Sequence, residues 1–357
     1  MKHNQLKYIS LKAIIPTFAL LLLAMLQPAC KHDRVTLFEP NLKFRPAGEF
    51  INNNYEFSLF NAALKITGLS ETLNGPGPFT VFAPTDQAFN NIGIRNSVDF
   101  QKMNVDSLRI AMKYHIVSQR VSSRDVTYKT VDNPFNTLLN VPALLGMGDN
   151  ADYHFFINGS NITRRDLDLS NGILHSINKV IKYHPGTIKS YLESQERYSI
   201  FTAALRKFGL LDQLGRDEHW TVMAVPNSAF KKLNLTKADI EKLNPEAYKK
   251  RLFGSYLFKL EFFKSDLIIL PKTGGSGSYA LSGAAVRTPI PGDEEYSHGI
   301  SGYSYSLFLI QTDHENYPIP NESELADYDR LDLYHKNGVI HEVQDLLIRP
   351  EEALIRP

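Results

Sequence analysis

A single cysteine, Cys30, occurs in the 357 residues, so no second thiol exists for it to pair with. That excludes an intramolecular disulfide framework and a cysteine-based zinc site. Charge of either sign is not in excess: 39 lysines and arginines face 38 aspartates and glutamates, a formal net of +1. Without a basic surplus to displace phosphate counterions, nucleic-acid binding has no electrostatic basis. Catalytic signatures are missing too, since neither a Gly-x-Ser-x-Gly elbow nor a Gly-x-x-x-x-Gly-Lys phosphate loop occurs. His341-Glu342-Val343-Gln344-Asp345 begins like a zinc-protease helix. It ends in aspartate, whereas that chemistry needs two histidines one helical turn apart. Asp327-Tyr328-Asp329-Arg330-Leu331-Asp332 lacks the glycine and third oxygen ligand of a calcium loop. No metal and no cofactor is expected. A carboxylate pair for sugar hydrolysis carries no sequence signature, but the reading of the whole chain is non-enzymatic.

What is present is, first, enough apolar residue for a core: 43% hydrophobic against 22% charged, a globular balance with room for two domains. The one long apolar run, Ala13 to Met25, follows Lys2, Lys7 and Lys12 and is interrupted by Pro16. It is short for a membrane span and laid out as a secretory signal. Ala29 supplies the small residue before a cut, and Cys30 follows. The arrangement resembles a bacterial lipoprotein signal over residues 1–30, in which Cys30 becomes the lipidated first residue. The alternative is an ordinary cleaved signal with a spare thiol. Gln27 stands where a leucine-like residue is usual, with Leu26 one place early. Several acyl chains would hold firmly, each buried CH₂ contributing about 0.8 kcal/mol. Lys31 after the cysteine points, under the usual sorting rule, to the outer membrane of a Gram-negative cell. Residues 31–49 then read as a tether.

Second, the chain repeats itself. Thr80-Val81-Phe82-Ala83-Pro84-Thr85-Asp86-Gln87-Ala88-Phe89 recurs as Thr221-Val222-Met223-Ala224-Val225-Pro226-Asn227-Ser228-Ala229-Phe230, each residue but the proline lying 141 positions after its counterpart. The same shift relates Phe57–Leu64 to Tyr198–Leu205 and Gly68 to Gly209. Each copy predicts a short strand stopped by Pro84 or Pro226 and a helix behind it, with Asp86 or Asn227 as N-cap. A second anchor closes each unit: Asn171-Gly172-Ile173-Leu174-His175 returns as Asn337-Gly338-Val339-Ile340-His341, now 166 positions on, a net insertion of 25 residues. So extended a match is a duplicated domain.

Those two anchors, with Tyr114-His115 between them, make the chain resemble the fasciclin domain family (fasciclin I type). The resemblance covers roughly 50–184 and 186–348, with the insertion near 271–334. It implies an α+β fold: two tandem domains, each a wedge-shaped β-sandwich with helices packed on one side. The family-motif residues are Thr80, Phe82, Pro84, Asp86, Phe89, Tyr114, His115, Asn171, Gly172 and His175 in the first copy. In the second they are Thr221, Pro226, Asn227, Phe230, Asn337, Gly338 and His341. Its proline is displaced by one place, and Ser255-Tyr256-Leu257-Phe258 stands where Tyr-His belongs. The resemblance links the Tyr-His region to cell adhesion in animal members.

Helices are expected around Phe57–Leu64, ended by Gly68, and Val105–Ile116. Asn171-Gly172 predicts a tight hairpin turn with both residues at positive φ. On the strand after it, Ile173, His175 and Ile177 share a face. His115, His175 and His341 are then either buried histidines satisfied by backbone groups or ligand contacts. The short junction Tyr183-His184-Pro185-Gly186 suggests domains that touch at a preferred angle. In the insertion, Tyr296, Tyr303 and Tyr305 are either a binding platform, each ring offering apolar area with a polar tip, or part of a hairpin packed on its own domain.

The functional expectation is a non-enzymatic adhesion or binding lipoprotein that contacts a surface or matrix protein, or a polysaccharide. It is lipid-anchored at the outer membrane, facing the cell surface or the periplasm. Tyr114, His115, Tyr296, Tyr303 and Tyr305 are the candidate binding residues. The alternative is an accessory glycan-binding subunit of an outer-membrane polysaccharide-uptake system.

Overall fold

The computed structural model describes residues 43–149, 154–269, 284–301, 306–311, 319–324 and 330–355. Cys30, Tyr303 and Tyr305 lie outside them. The chain from Pro40 onward packs as one compact unit.

The first copy opens with a helix at Ala47–Asn52, three residues inside the stretch expected to be tether. A second, Ser58–Thr67, ends at Gly68, which takes the left-handed conformation (φ 74°) that a helix stop requires. After Leu69–Asn74 come β1 (Phe79–Pro84), helix Asp86–Asn90, helix Val105–Tyr114 and β2 (Ile116–Val117). Then follow β3 (Thr130–Asn136), β4 (Pro142–Met147), β5 (Phe155–Ile157), β6 (Ser160–Leu169) and β7 (Gly172–Ile177). They form one ribbon in the order β2-β1-β7-β6-β5-β4-β3. The ten-residue β6 bends at two register shifts and so belongs to both leaves of a sandwich. A bridge between Val117 and Thr137 brings the two ends of the ribbon together. Alternation along β1 then sorts the core: Val81 and Ala83 face the helices, while Phe82 faces the sandwich interior with Tyr114, Phe155 and Ile177.

The second copy repeats the central part. β9 (Trp220–Ala224), β10 (Leu257–Phe258), β15 (Leu333–His335) and β16 (Gly338–Glu342) stand for β1, β2, the end of β6 and β7. The parallel registers match, Phe82 opposite His175 and Met223 opposite His341. Between β10 and β15 lies an antiparallel meander of β11 (Ala284–Ile290), β12 (Asp293–Ser301), β13 (Ser306–Gln311) and β14 (Ile319–Glu324). This is the region expected to be an insertion. Its sheet sends Ile290, Tyr296, Ile300, Leu307 and Leu309 into the core of the second copy. The segment therefore supplies the second leaf of that sandwich rather than an appendage, because a single sheet would leave β9 and β16 uncovered.

The copies are joined by more than a linker. Tyr183–His184 forms β8, which pairs in parallel with β15, Tyr334 opposite Tyr183 and His335 opposite His184. Phe263, Tyr334 and Val339 of the second copy enter the sandwich core of the first. Tyr334 lies 5.7 Å from the Tyr183 ring and 6.4 Å from Tyr114. Beside them Lys179 Nζ donates to Asp332 Oδ2 at 2.7 Å and to the Leu331 carbonyl at 2.8 Å, with both ionic side chains buried. Burial alone would raise the Asp332 carboxyl, but the Lys179 ammonium and the Lys264 N–H hold it below its ordinary value. Gly159 permits the approach, since a Cβ there would come within 2.4 Å of the Asp332 carboxylate.

Candidate functional site

The recurring residues converge at the β1/β7 and β9/β16 strand pairs, and their polar atoms go to backbone groups. Asn171 Nδ2 donates to the carbonyls of Leu73 (2.8 Å) and Gly75 (2.7 Å), and its Oδ1 accepts from Ala47 N–H at 2.9 Å. Asn337 does the same to Leu214 and Arg216, both 2.9 Å, and to Ile188 N–H at 2.9 Å. One amide thus ties three chain segments together, using its donors and its acceptor at once.

The Asn-Gly turn differs from expectation. The loop residues are Ser170-Asn171 and Lys336-Asn337, and neither asparagine has positive φ. Each glycine instead begins a strand. A Cβ on Gly172 would sit 2.0 Å from the Phe79 carbonyl oxygen, and one on Gly338 1.8 Å from that of Trp220. Close approach of the neighbouring strand requires glycine at both places, and at Gly338 a φ of 137° requires it as well.

The threonines and histidines hold the segment after β2 or β10. Thr80 Oγ1 donates to the Gln119 carbonyl (2.6 Å) and accepts from Val121 N–H (2.7 Å). Thr221 treats Leu260 and Phe262 alike, at 2.8 and 3.1 Å. His175 Nδ1 accepts from Asp166 N–H at 3.2 Å, and Nε2 lies 2.9 Å from the Val121 carbonyl. His341 stands likewise to Asp332 N–H (3.2 Å) and the Phe262 carbonyl (3.2 Å). A backbone N–H can only donate, so Nδ1 is bare and Nε2 carries the proton in both rings. Burial lowers the pKa of both, consistent with neutral imidazoles.

Asp166 and Asp332 belong to this network; the sequence reading passes over Asp166 and meets Asp332 only as the last residue of the rejected calcium loop. Both take left-handed backbone (φ 57° and 59°) at the β6 bend and its counterpart. Their signal was present: each stands five residues before its Asn-Gly. Asp86 and Asn227 also differ from expectation. The cap of helix Asp86–Asn90 is Thr85, whose Oγ1 accepts from Ala88 N–H; the cap position of Asn227–Lys232 is Pro226, with no side-chain bond. Asp86 instead binds the first turn of helix Ser58–Thr67, accepting from Leu59 N–H (2.8 Å) and Ser58 Oγ (2.5 Å). Asn227 accepts from Ile200 N–H at 3.0 Å. Phe89 meets Phe100 edge-on at 5.7 Å, Phe230 is buried in the second core, and Pro84 closes β1 opposite Ile177.

Tyr114 and His115 are both 0% exposed, which corrects the expectation of binding residues there. Tyr114 Oη donates to the Pro142 carbonyl at 3.0 Å. His115 Nε2 accepts from Ile181 N–H at 3.2 Å, so Nδ1 donates to the Ala111 carbonyl at 2.7 Å. Burial brings its pKa down to about 4. Tyr296 is no open platform either: it is buried, with the Arg251 guanidinium 4.0 Å over its ring.

Among the clefts open on the first copy is one of about 490 Å³ beside Asp166, lined by Arg120, Ser122, Arg124, Asp125, Asp168 and Ile173; another, of about 480 Å³, lies against Ser58, Lys65 and Asp86. Arg120 pairs with Asp168 at 2.6 Å. Asp125 accepts from Ser122 N–H and Oγ, both at 2.7 Å. Among the described residues no group of three or more His, Cys, Asp or Glu is placed to hold a metal ion, and no helix is long and apolar enough to cross a membrane.

Fold and site together define a tandem α+β protein whose motif side chains brace backbone in both copies. The fasciclin domain model matches residues 55–183. Human periostin is 25% identical over 288 residues, 80% of this chain and 30% of periostin. Protein sll1483 of Synechocystis is 32% identical over 135 residues, 37% of this chain and 71% of that protein. A solved FAS1 domain pair from the insect cell adhesion molecule fasciclin I is 16% identical, covers 86% of this chain and 97% of its own, and has a TM-score of 0.37. This chain belongs to the fasciclin domain family. It spans about a third of the length of its animal relatives, 30% of periostin and 36% of ig-h3.

Proposed function

We propose that the protein is a non-enzymatic adhesion or binding protein, with two fasciclin domains divided near Pro185. In this reading Cys30 carries a lipid anchor at the outer membrane of a Gram-negative cell, and the partner is a surface or matrix protein or a polysaccharide. The observation that carries the non-enzymatic part is the use of the motif. His115, His175, His341, Asn171 and Asn337 are each committed to backbone partners in a buried setting. An activated nucleophile needs a base with a free lone pair facing a cleft. Recognition then falls to exposed surface, with affinity from several contacts rather than one deep pocket. The test is binding of the purified ectodomain to cells, immobilised matrix proteins and polysaccharide panels. Saturable binding to one class is expected; no binding to any, or hydrolysis of a model ester or glycoside, would overturn the proposal.

A further inference from the structure

We infer that Lys179 and Asp332 condense, with loss of one water, to an amide that joins the two copies covalently across their junction. The ion pair is the reactant, and its geometry already provides for the product. Lys179 Nζ lies 2.7 Å from Asp332 Oδ2 and donates to the Leu331 carbonyl at 2.8 Å. Asp332 Oδ1 accepts from Lys264 N–H at 2.7 Å. In the amide, Oδ1 becomes the carbonyl oxygen and keeps the Lys264 N–H. The one hydrogen left on Nζ keeps the Leu331 carbonyl. A buried amide needs a partner for its N–H and for its oxygen, and both are in place before it forms.

The step balances within the pair. The ammonium passes a proton to Oδ2 along their hydrogen bond, leaving an amine and a neutral carboxyl. The Nζ lone pair attacks Cγ, and the charge that develops on Oδ1 meets the Lys264 N–H, which serves as an oxyanion donor. A second proton moves from Nζ to Oδ2, the Cγ–Oδ2 bond breaks, and water leaves. Nothing is oxidised or reduced, and no co-reactant is needed.

Burial favours the amide over the ions. The two side chains are 7% and 2% exposed, and their chain neighbours Val180, Ile181, Leu331 and Leu333 are buried hydrophobics. Two charges taken out of water carry a desolvation cost that a neutral amide does not, and the released water goes to bulk. Holding amine and carboxyl in contact also replaces a chance encounter with a unimolecular step. Other lysine–carboxylate pairs lack this setting: in Lys189–Asp212, Lys232–Asp345 and Lys249–Glu295 solvent reaches the side chains. The link would close the 153-residue span between Lys179 and Asp332 and hold the copies together when the backbone between them is cut.

The test is a peptide map. The full mature chain is incubated folded at neutral pH, denatured, and digested with trypsin, which does not cut after an acylated lysine. Mass spectrometry should find a branched peptide joining residues 166–182 to 331–336, lighter by one water than the two together. Lys179→Arg keeps the cation but has no amine to acylate, so its digest should contain no joined peptide. A nick near Gly186 should leave the wild-type halves together in denaturant and release them in Lys179→Arg. Trypsin cleavage after Lys179 in the wild-type digest, wild-type halves that separate after the nick, or a water loss that persists in Lys179→Arg would overturn the inference and leave an ordinary buried ion pair. The wild-type digest decides by itself if the variant fails to fold.

Discussion

Tyr256 stands where the first copy has His115, and both accept the same backbone N–H. Tyr256 Oη takes Leu347 N–H at 2.6 Å, as His115 Nε2 takes that of Ile181 at 3.2 Å. The pair that reads as a lost motif is thus a substitution that keeps the bond. Tyr256→Phe should leave a buried N–H unpaired and cost about 1–3 kcal/mol in urea unfolding. His115→Tyr should be tolerated better than His115→Ala, and the opposite ranking would show that the shared bond is not what the position supplies.

Asn171 serves three backbone groups, and its chemistry matters more than its size. Asn171→Asp sets a carboxylate against the carbonyls of Leu73 and Gly75, which offer it no hydrogen. It should destabilise more than Asn171→Ala, which is expected to cost at least about 2 kcal/mol. Equal losses in the two variants, measured by chemical denaturation, would contradict the triple role.

The Lys179–Asp332 pair crosses the junction in a buried setting. Lys179→Met should cost about 3–5 kcal/mol, because it strands a carboxylate. Adding Asp332→Asn should recover part of that loss. A double-mutant cycle with no coupling would place the cohesion of the two copies in Phe263 and Tyr334 alone.

Stability should fall on both sides of a middle pH. Burial sets the folded pKa of His115, His184 and His298 at about 4, against 6.5 unfolded. As pH falls from 6.5 towards 4 the unfolded chain binds more protons, so stability is lost over that window. His184 stacks on His335 at 4.8 Å in the β8/β15 pair, so protonation there should loosen the junction first, read as protease cleavage near Gly186. Asp266 runs the other way. Burial raises its folded pKa to about 8, so the native state holds the extra proton between 3.8 and 8 and loses stability as pH rises. Asp266→Asn should flatten that alkaline arm; an unchanged slope would refute the assignment.

Cys30→Ala is expected to move the protein from the membrane to the soluble fraction of cells. Retention in the membrane would remove the lipid anchor from the proposed function.

Much was legible before any coordinates. The matching helices, the β1 and β9 strands, the strands carrying His175 and His341, and the stop at Gly68 follow from local periodicity and turn chemistry; the parallel pairing of those strands does not. The misreadings share one cause. Asp86 reads as the cap of its own helix and Gly172 as a turn residue because a local rule covers each, whereas the actual partner is distant. Leu59 lies 27 residues from Asp86, and Ala47 lies 124 from Asn171. Tyr114 and His115 carried a family role but sit where no partner can touch them.

By itself the sequence determined the duplication and the register of its anchors, because repetition is written along the chain, and the α+β class came with the family resemblance those anchors carry. Only the tertiary structure decided that Asp332 meets Lys179 while its twin Asp166 faces a cleft. Two equal motifs acquire different surroundings once the copies pack head to tail, since one face is then buried and its equivalent is not.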